Sequence, residues 1–282
     1  MKKYVILSFI SFFLLPITNY ELQITNYAYA VEIEPLRLEY SLEAGKIYSG
    51  SFHIRNSSNF AVDIFASTGG YRYIFSEDTT PPASGKKTLP SCQNWLQFEK
   101  QKFTLNSGES ADAKFLIKVP QDAKEEHLCA VLFDEKRSTL ETKLNEETGN
   151  VQIQVTPRFS IPVYVLIKGT EKISAQIKEI STFSEVAKKG GVKINLTVEN
   201  TGNIHIRPFG TLIIFNQNGE VVKNLSIGKS LPIFPGYKET ISVACPKMPA
   251  GKYSAVATVE ISKDNIIQKK TTFIFNKTGE AE

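Results

Sequence analysis

The sequence predicts an all-β protein made of two sandwich domains, and three observations carry that expectation. Apolar and polar residues alternate in short segments rich in Val, Ile, Phe, Thr and Tyr along most of the chain. Gly, Asn-Gly, Ser-Gly and Pro-Gly interrupt those segments roughly every dozen residues, the turn spacing of a sandwich. Helical periodicity is absent except at 138–147, where Leu140 and Leu144 would allow one short polar helix; the wider span 135–150 reads better as a loop.

Taken in chain order, the first element lies outside that fold. Lys2 and Lys3 precede an apolar and small run from Tyr4 to Pro16, and the polar stretch after it ends in Ala28-Tyr29-Ala30. The run is too short to span a bilayer, and small residues at the third and first positions before a cut after Ala30 fit a secretory signal peptide, 1–30. Ile17-Thr18-Asn19-Tyr20 returns as Ile24-Thr25-Asn26-Tyr27, which reads as a duplication with no role. Beyond Ala30 no apolar stretch is long enough to cross a membrane, so the mature chain is expected to be exported, to the periplasm or the cell surface, with no transmembrane segment. The formal charge of +4 falls to +3 once Lys2, Lys3 and Glu21 leave with the signal. Such mild basicity, without Lys/Arg runs, excludes a dedicated nucleic-acid surface.

The strands of the first domain, 31–169, are expected at 36–42, 47–55, 62–67, 95–105, 111–119, 127–134 and 151–167, with 75–90 as an exposed loop. The second domain, 170–277, offers 173–180, 192–199, 209–216, 220–227, 239–245, 253–261 and 271–276. Seven strands in each is an immunoglobulin-like count. Asn218-Gly219 between two of them is the strongest hairpin signal in the chain. The halves also echo one another. Phe52 to Asn59, ending Arg55-Asn56-Ser57-Ser58-Asn59, is answered by Leu196 to Asn203, ending Glu199-Asn200-Thr201-Gly202-Asn203. Leu105-Asn106-Ser107-Gly108 is answered by Phe234-Pro235-Gly236.

Chemistry is harder to find. His53, His127 and His205 are scattered, no Cys/His/Asp group has metal-ligand spacing, and no nucleophile elbow, phosphate loop or dinucleotide fingerprint occurs. The expectation is therefore a non-catalytic binding protein, with no cofactor and no metal. Tyr71, Tyr73 and Trp95 offer stacking faces for a cell-wall polymer, although a single Trp at a strand start more often belongs to a core. Cys92 and Cys129 are candidates for a disulfide, leaving Cys245 as a small buried hydrophobe; three reduced thiols is the alternative.

The stretch from Arg37 to Ile167 resembles the N-terminal domain of periplasmic pilus chaperones of the PapD type. The likeness rests on Arg37-Leu38-Glu39-Tyr40, on Ile54-Arg55-Asn56-Ser57, on Val119-Pro120, and on a last strand reading Pro157-Arg158-Phe159-Ser160-Ile161-Pro162-Val163-Tyr164. It implies capture of an extended segment of an envelope or pilus protein by strand addition, with an arginine and a lysine gripping the partner's terminal carboxylate. Arg37 matches that arginine. The lysine position falls near Ser160, and Arg158, two residues earlier on the same face, either substitutes or is an exposed strand charge. In 151–167 every odd position is apolar, more than one sandwich is expected to cover, so Val151, Ile153 and Val155 are candidates for donation to the partner; the alternative is a strand kinked at Pro157 that changes sheets and buries both halves within its own domain. The second half, around Asn200-Thr201-Gly202-Asn203-Ile204-His205-Ile206-Arg207-Pro208, is similar to second domains of peptidoglycan-associated and WxL-type surface proteins. That similarity implies the alternative of a cell-surface adhesion or wall-binding module.

Overall fold

A computed structural model describes residues 31–71, 90–137, 157–183 and 191–276. Tyr73, Val151, Ile153, Val155, all of the loop at 75–90 except Pro90, and most of 135–150 lie outside the described residues. The described chain is all β apart from one 3-10 turn, Gln93–Trp95. The first half comprises β1 (Val31–Glu34), β2 (Leu38–Leu42), β3 (Ile47–Asn56), β4 (Val62–Gly69), β5 (Leu96–Phe98), β6 (Lys102–Leu105), β7 (Ser110–Lys118), β8 (Glu126–Arg137) and β9 (Arg158–Ile167). The second comprises β10 (Ala175–Phe183), β11 (Gly191–Asn200), β12 (Phe209–Phe215), β13 (Val221–Ile227), β14 (Lys238–Pro246), β15 (Gly251–Ser262) and β16 (Asn265–Phe275).

Two sheets face each other in each half. Strand order is β1-β3-β7-β5 against β2-β9-β8-β4-β6 in the first, and β10-β11-β14 against β13-β12-β15-β16 in the second. Period-two sequence produces this directly: in β11 every second residue from Val192 to Asn200 is buried, and β15 alternates in the same way from Tyr253 to Ile261. The first core is built on Phe52, whose ring lies 5.5 Å from Phe115 and 5.3 Å, edge-on, from Phe133. A second cluster draws on Ile194, Leu196, Leu212, Ile214 and Phe275, and a small third one, Leu128, Tyr164 and Phe234, lies between the halves.

Two expected strands take a different form, and the hairpin expected at Asn218-Gly219 is present, joining β12 to β13. The segment at 95–105 is two strands in opposite sheets, since β5 pairs with β7 while β6 pairs with β4; the three residues between them carry the chain across the core. The segment at 36–42 has a partner upstream: β1 pairs with β3 in one sheet, the chain turns at Glu34-Pro35-Leu36, and β2 pairs with β9 in the other. Pro35 has no N–H to give a ladder, so the turn falls where sheet pairing is least favoured. At Asn218-Gly219 only Gly219 takes positive φ, +81°, and the side chain of Asn216 accepts from the backbone N–H of Asn218 and Glu220. The hairpin therefore closes through a bulged loop rather than a two-residue turn.

The echo between the halves has an atomic counterpart. Asn56 is fully buried; its Nδ2 donates to the carbonyls of Phe60 (2.7 Å), Leu105 (3.0 Å) and Asn106 (3.1 Å), and its Oδ1 accepts from Ser58 N–H. Asn200, also fully buried, donates to Ile204 and Ile233 carbonyls, both at 2.7 Å, and accepts from Gly202 N–H. The backbone repeats as well: Gly108 N–H donates to Asn56 O and Gly236 N–H to Asn200 O. Both glycines have φ +79°, a conformation that favours glycine.

Candidate functional site

The site is built on the outer face of the five-stranded sheet, where β2, β9 and β8 run side by side. Strand β2 is parallel to β9 and covers it only from Val163 onward, Leu38 lying opposite Val163 and Leu42 opposite Ile167. The other flank of β9 is covered throughout by antiparallel β8, from Arg158 opposite Asp134 to Leu166 opposite Glu126. Among the described residues, then, Arg158 to Pro162 has a strand on one side only.

Which backbone groups face the open side follows from the ladder. Glu135 N–H donates to Pro157 O and Ile167 N–H donates to Glu125 O, so odd-numbered residues of β9 exchange bonds with β8. Even-numbered ones turn the other way: Tyr164 and Leu166 toward β2, and Arg158, Ser160 and Pro162 toward the uncovered edge. Pro162 thus sits where its missing N–H costs the fold nothing. Odd side chains from Phe159 to Ile167 pack inward, and even ones face outward.

Arg37 stands at the end of this slot. The register that places Leu38 beside Val163 puts Arg37 level with Pro162, at the point where β2 stops covering β9. Its Nε donates to Glu39 Oε1 at 2.8 Å, with the Arg37 side chain about half exposed. Arg158 is engaged elsewhere: its Nε and Nη2 donate to the two carboxylate oxygens of Asp134 across the β8–β9 ladder at 2.5 and 2.9 Å. Those bonds hold the Asp134 carboxyl below the ordinary aspartate range and raise the Arg158 guanidinium.

Sequence reasoning missed the residues that join the two halves here. Glu126, 6% exposed, accepts from the backbone N–H of His205 and pairs with its Nδ1, both at 2.7 Å. Arg207 Nη2 donates to Glu39 Oε1 at 3.1 Å, and its guanidinium lies over the Tyr164 ring. Tyr164 also packs against His205 and Phe234, and burial raises its phenol above the usual range although Arg207 opposes the shift. The linker is tied from both sides: Glu125 N–H donates to Thr170 Oγ1, and Asn203 Nδ2 donates to Thr170 O. Glu125 has φ +64°, costly for a residue with a Cβ. The one available signal was the segment Asn200 to Pro208, which departs from strand alternation just after the repeated Asn turn.

The remaining candidates fall outside this site. His53 pairs with Asp112 on the surface, and His127 packs its ring 4.1 Å from Trp95, which is itself 9% exposed. Tyr71 packs against the cluster between the halves. Neither Trp95 nor Tyr71 is thus an exposed stacking platform. Cys92, at the start of the 3-10 turn, is bonded to Cys129 of β8, and Cys245 is free and buried, which raises its thiol pKa.

The fold and edge together define an immunoglobulin-like two-sandwich protein in which, among the described residues, β9 has a strand on one side only from Arg158 to Pro162. No protein-family model and no curated protein matches the sequence. The chain is similar in structure to fimbrial chaperones. A chain of the chaperone–tip adhesin complex of CFA/I fimbriae is 16% identical with a TM-score of 0.45, covering 86% of this chain and 98% of that one. The class 5 fimbriae chaperone CfaA is 15% identical with a TM-score of 0.45 over 86% and 99%. The SafB chaperone of Salmonella enterica, solved with the SafA pilin, is 12% identical with a TM-score of 0.41 over 86% and 97%.

Proposed function

We propose that this is an exported binding protein, without enzymatic activity, that captures an extended segment of an envelope or pilus-type protein by adding it as a strand to β9, its two sandwiches forming domains 31–169 and 170–277. The observation that carries the reading is the uncovered edge from Arg158 to Pro162, which offers backbone donors and acceptors to a strand from another chain. A segment lying there would be collinear with β2 and would end against Arg37. Running parallel to β9, it brings its C-terminal carboxylate to that guanidinium; antiparallel, it would bring an ammonium group. Charge therefore selects the parallel direction. Val151, Ile153 and Val155 precede β9 in the sequence, and on this reading they would add apolar side chains to the partner's core.

The test is a proline. Ser160→Pro removes an N–H that faces the open edge and leaves the bonds to β8 in place. The variant should keep the wild-type melting temperature within a few degrees and lose the envelope protein that co-purifies with the wild type. In hydrogen exchange, the Arg158 and Ser160 amides of the wild type should become protected when that partner is bound. Retention of the partner by Ser160→Pro, or exchange at those two amides unchanged by binding, overturns strand addition at this edge.

A further inference from the structure

Arg37 stands at the end of the slot, and Arg158 is engaged by Asp134. The structure places another guanidinium beside Arg37. Arg37 Nε and Arg207 Nη2 both donate to the same atom, Glu39 Oε1, at 2.8 and 3.1 Å, so two cations from different sandwiches converge on one carboxylate oxygen. Arg37, the residue just before β2, and Glu39 within it are two residues apart and by strand alternation fall on the same sheet face, which at Glu39 meets Arg207 of the second sandwich. With Nε engaged, Arg37 keeps both terminal nitrogens of its fork. Arg207 Nε is buried with no hydrogen-bond partner among the described residues. A buried donor left unpaired costs free energy, and an acceptor that reaches it recovers that cost. Glu39 is bonded through a single oxygen by both cations, and its side chain is 42% exposed. An ion pair that exposed contributes little, so exchanging its carboxylate for another one is cheap.

We infer that Arg37 and Arg207 together form the carboxylate anchor of the strand-capture site, and that Glu39 is its internal occupant, holding the two guanidiniums in place until the terminal carboxylate of a partner displaces it. This rests on the strand-capture reading above and adds a definite consequence to it: the second sandwich supplies half of the anchor. The joint between the sandwiches then belongs to the binding site, since the segment carrying Arg207 is fixed by the contact between His205 and Glu126. Glu39 is a positioning residue that competes with the ligand, which gives its removal an unusual sign.

The experiment measures binding of the full chain to a short synthetic peptide of alternating valine and threonine, made once with a free C-terminal carboxylate and once as the amide. The wild type should favour the acid by about tenfold or more, the scale of one hydrogen bond to a charged group. Arg207→Gln and Arg37→Gln should each reduce that preference to near unity, with the larger loss falling on the acid. Glu39→Gln removes the competing charge and keeps an acceptor, so it should strengthen binding of the acid severalfold with no effect on the amide. An acid preference that survives Arg207→Gln overturns the assignment of Arg207. Weaker acid binding in Glu39→Gln overturns the displacement of Glu39. Absence of binding by either peptide to the wild type, together with full binding of the native partner by Ser160→Pro, removes the strand-capture reading itself.

Discussion

A single buried asparagine organises the same corner in each sandwich. Asn56 serves three carbonyls and Asn200 two, and no other side chain of that size offers both an amide donor pair and an acceptor in one plane. Asn56→Ala leaves buried carbonyls without donors and should destabilise the first sandwich by about 3 kcal/mol in chemical denaturation. Asn200→Ala should cost the second a similar amount. A loss under about 1 kcal/mol at either position would show that water replaces the amide. These two residues were legible in the sequence because the repeat is written in the letters themselves. Arg37 enters the proposed site through the resemblance of its strand. Glu39, Glu126, Tyr164, His205 and Arg207 were not: His205 meets Glu126 across a sequence separation of 79 residues and Arg207 meets Glu39 across 168, and local pattern carries no record of such pairings.

The strands themselves were largely visible, because a face buried on one side imposes alternation on any sequence that forms it. Their partners were not. Nothing in the period of 95–105 marks the point where the chain leaves one sheet for the other, since β5 and β6 each bury their own apolar residues against the same core. The disulfide bears on that crossing directly: it ties the 3-10 turn ahead of β5 to the middle of β8, closing a loop with a sequence separation of 37 residues. Loop-closure entropy makes such a link worth about 4 kcal/mol. Replacing Cys92 and Cys129 together by alanine should lower stability by about that amount, and thiol labelling of the folded wild type should leave Cys245 unmodified because it is buried. A pair variant as stable as the wild type would show that packing around Trp95 alone holds the turn.

At the scale of the whole molecule, two large apolar cores meet through a small apolar contact of Leu128, Tyr164 and Phe234, flanked by the polar pairs of His205 and Arg207. That contact is modest beside either core, and so the coupling between the sandwiches depends on few side chains. Phe234→Ala removes the ring stacked on Tyr164 at 6.4 Å and should split a single calorimetric transition into two, one for each sandwich. A single transition that merely moves down in temperature would show that the cores unfold as one unit for another reason.

The uncovered edge of β9 also sets how the protein treats copies of itself. An exposed strand edge is a general route to uncontrolled association. Two copies meeting edge to edge about a two-fold axis would run their β9 strands antiparallel, and each Arg158 would arrive at the end of the slot where the other copy's Arg37 stands. Each guanidinium arrives with its own carboxylate, Asp134 or Glu39, so charge decides little there, but Pro162 of each copy withholds a donor from the shared ladder. A homotypic ladder thus loses two donors where a foreign strand would lose one, which, on the strand-capture reading proposed above, favours the foreign strand.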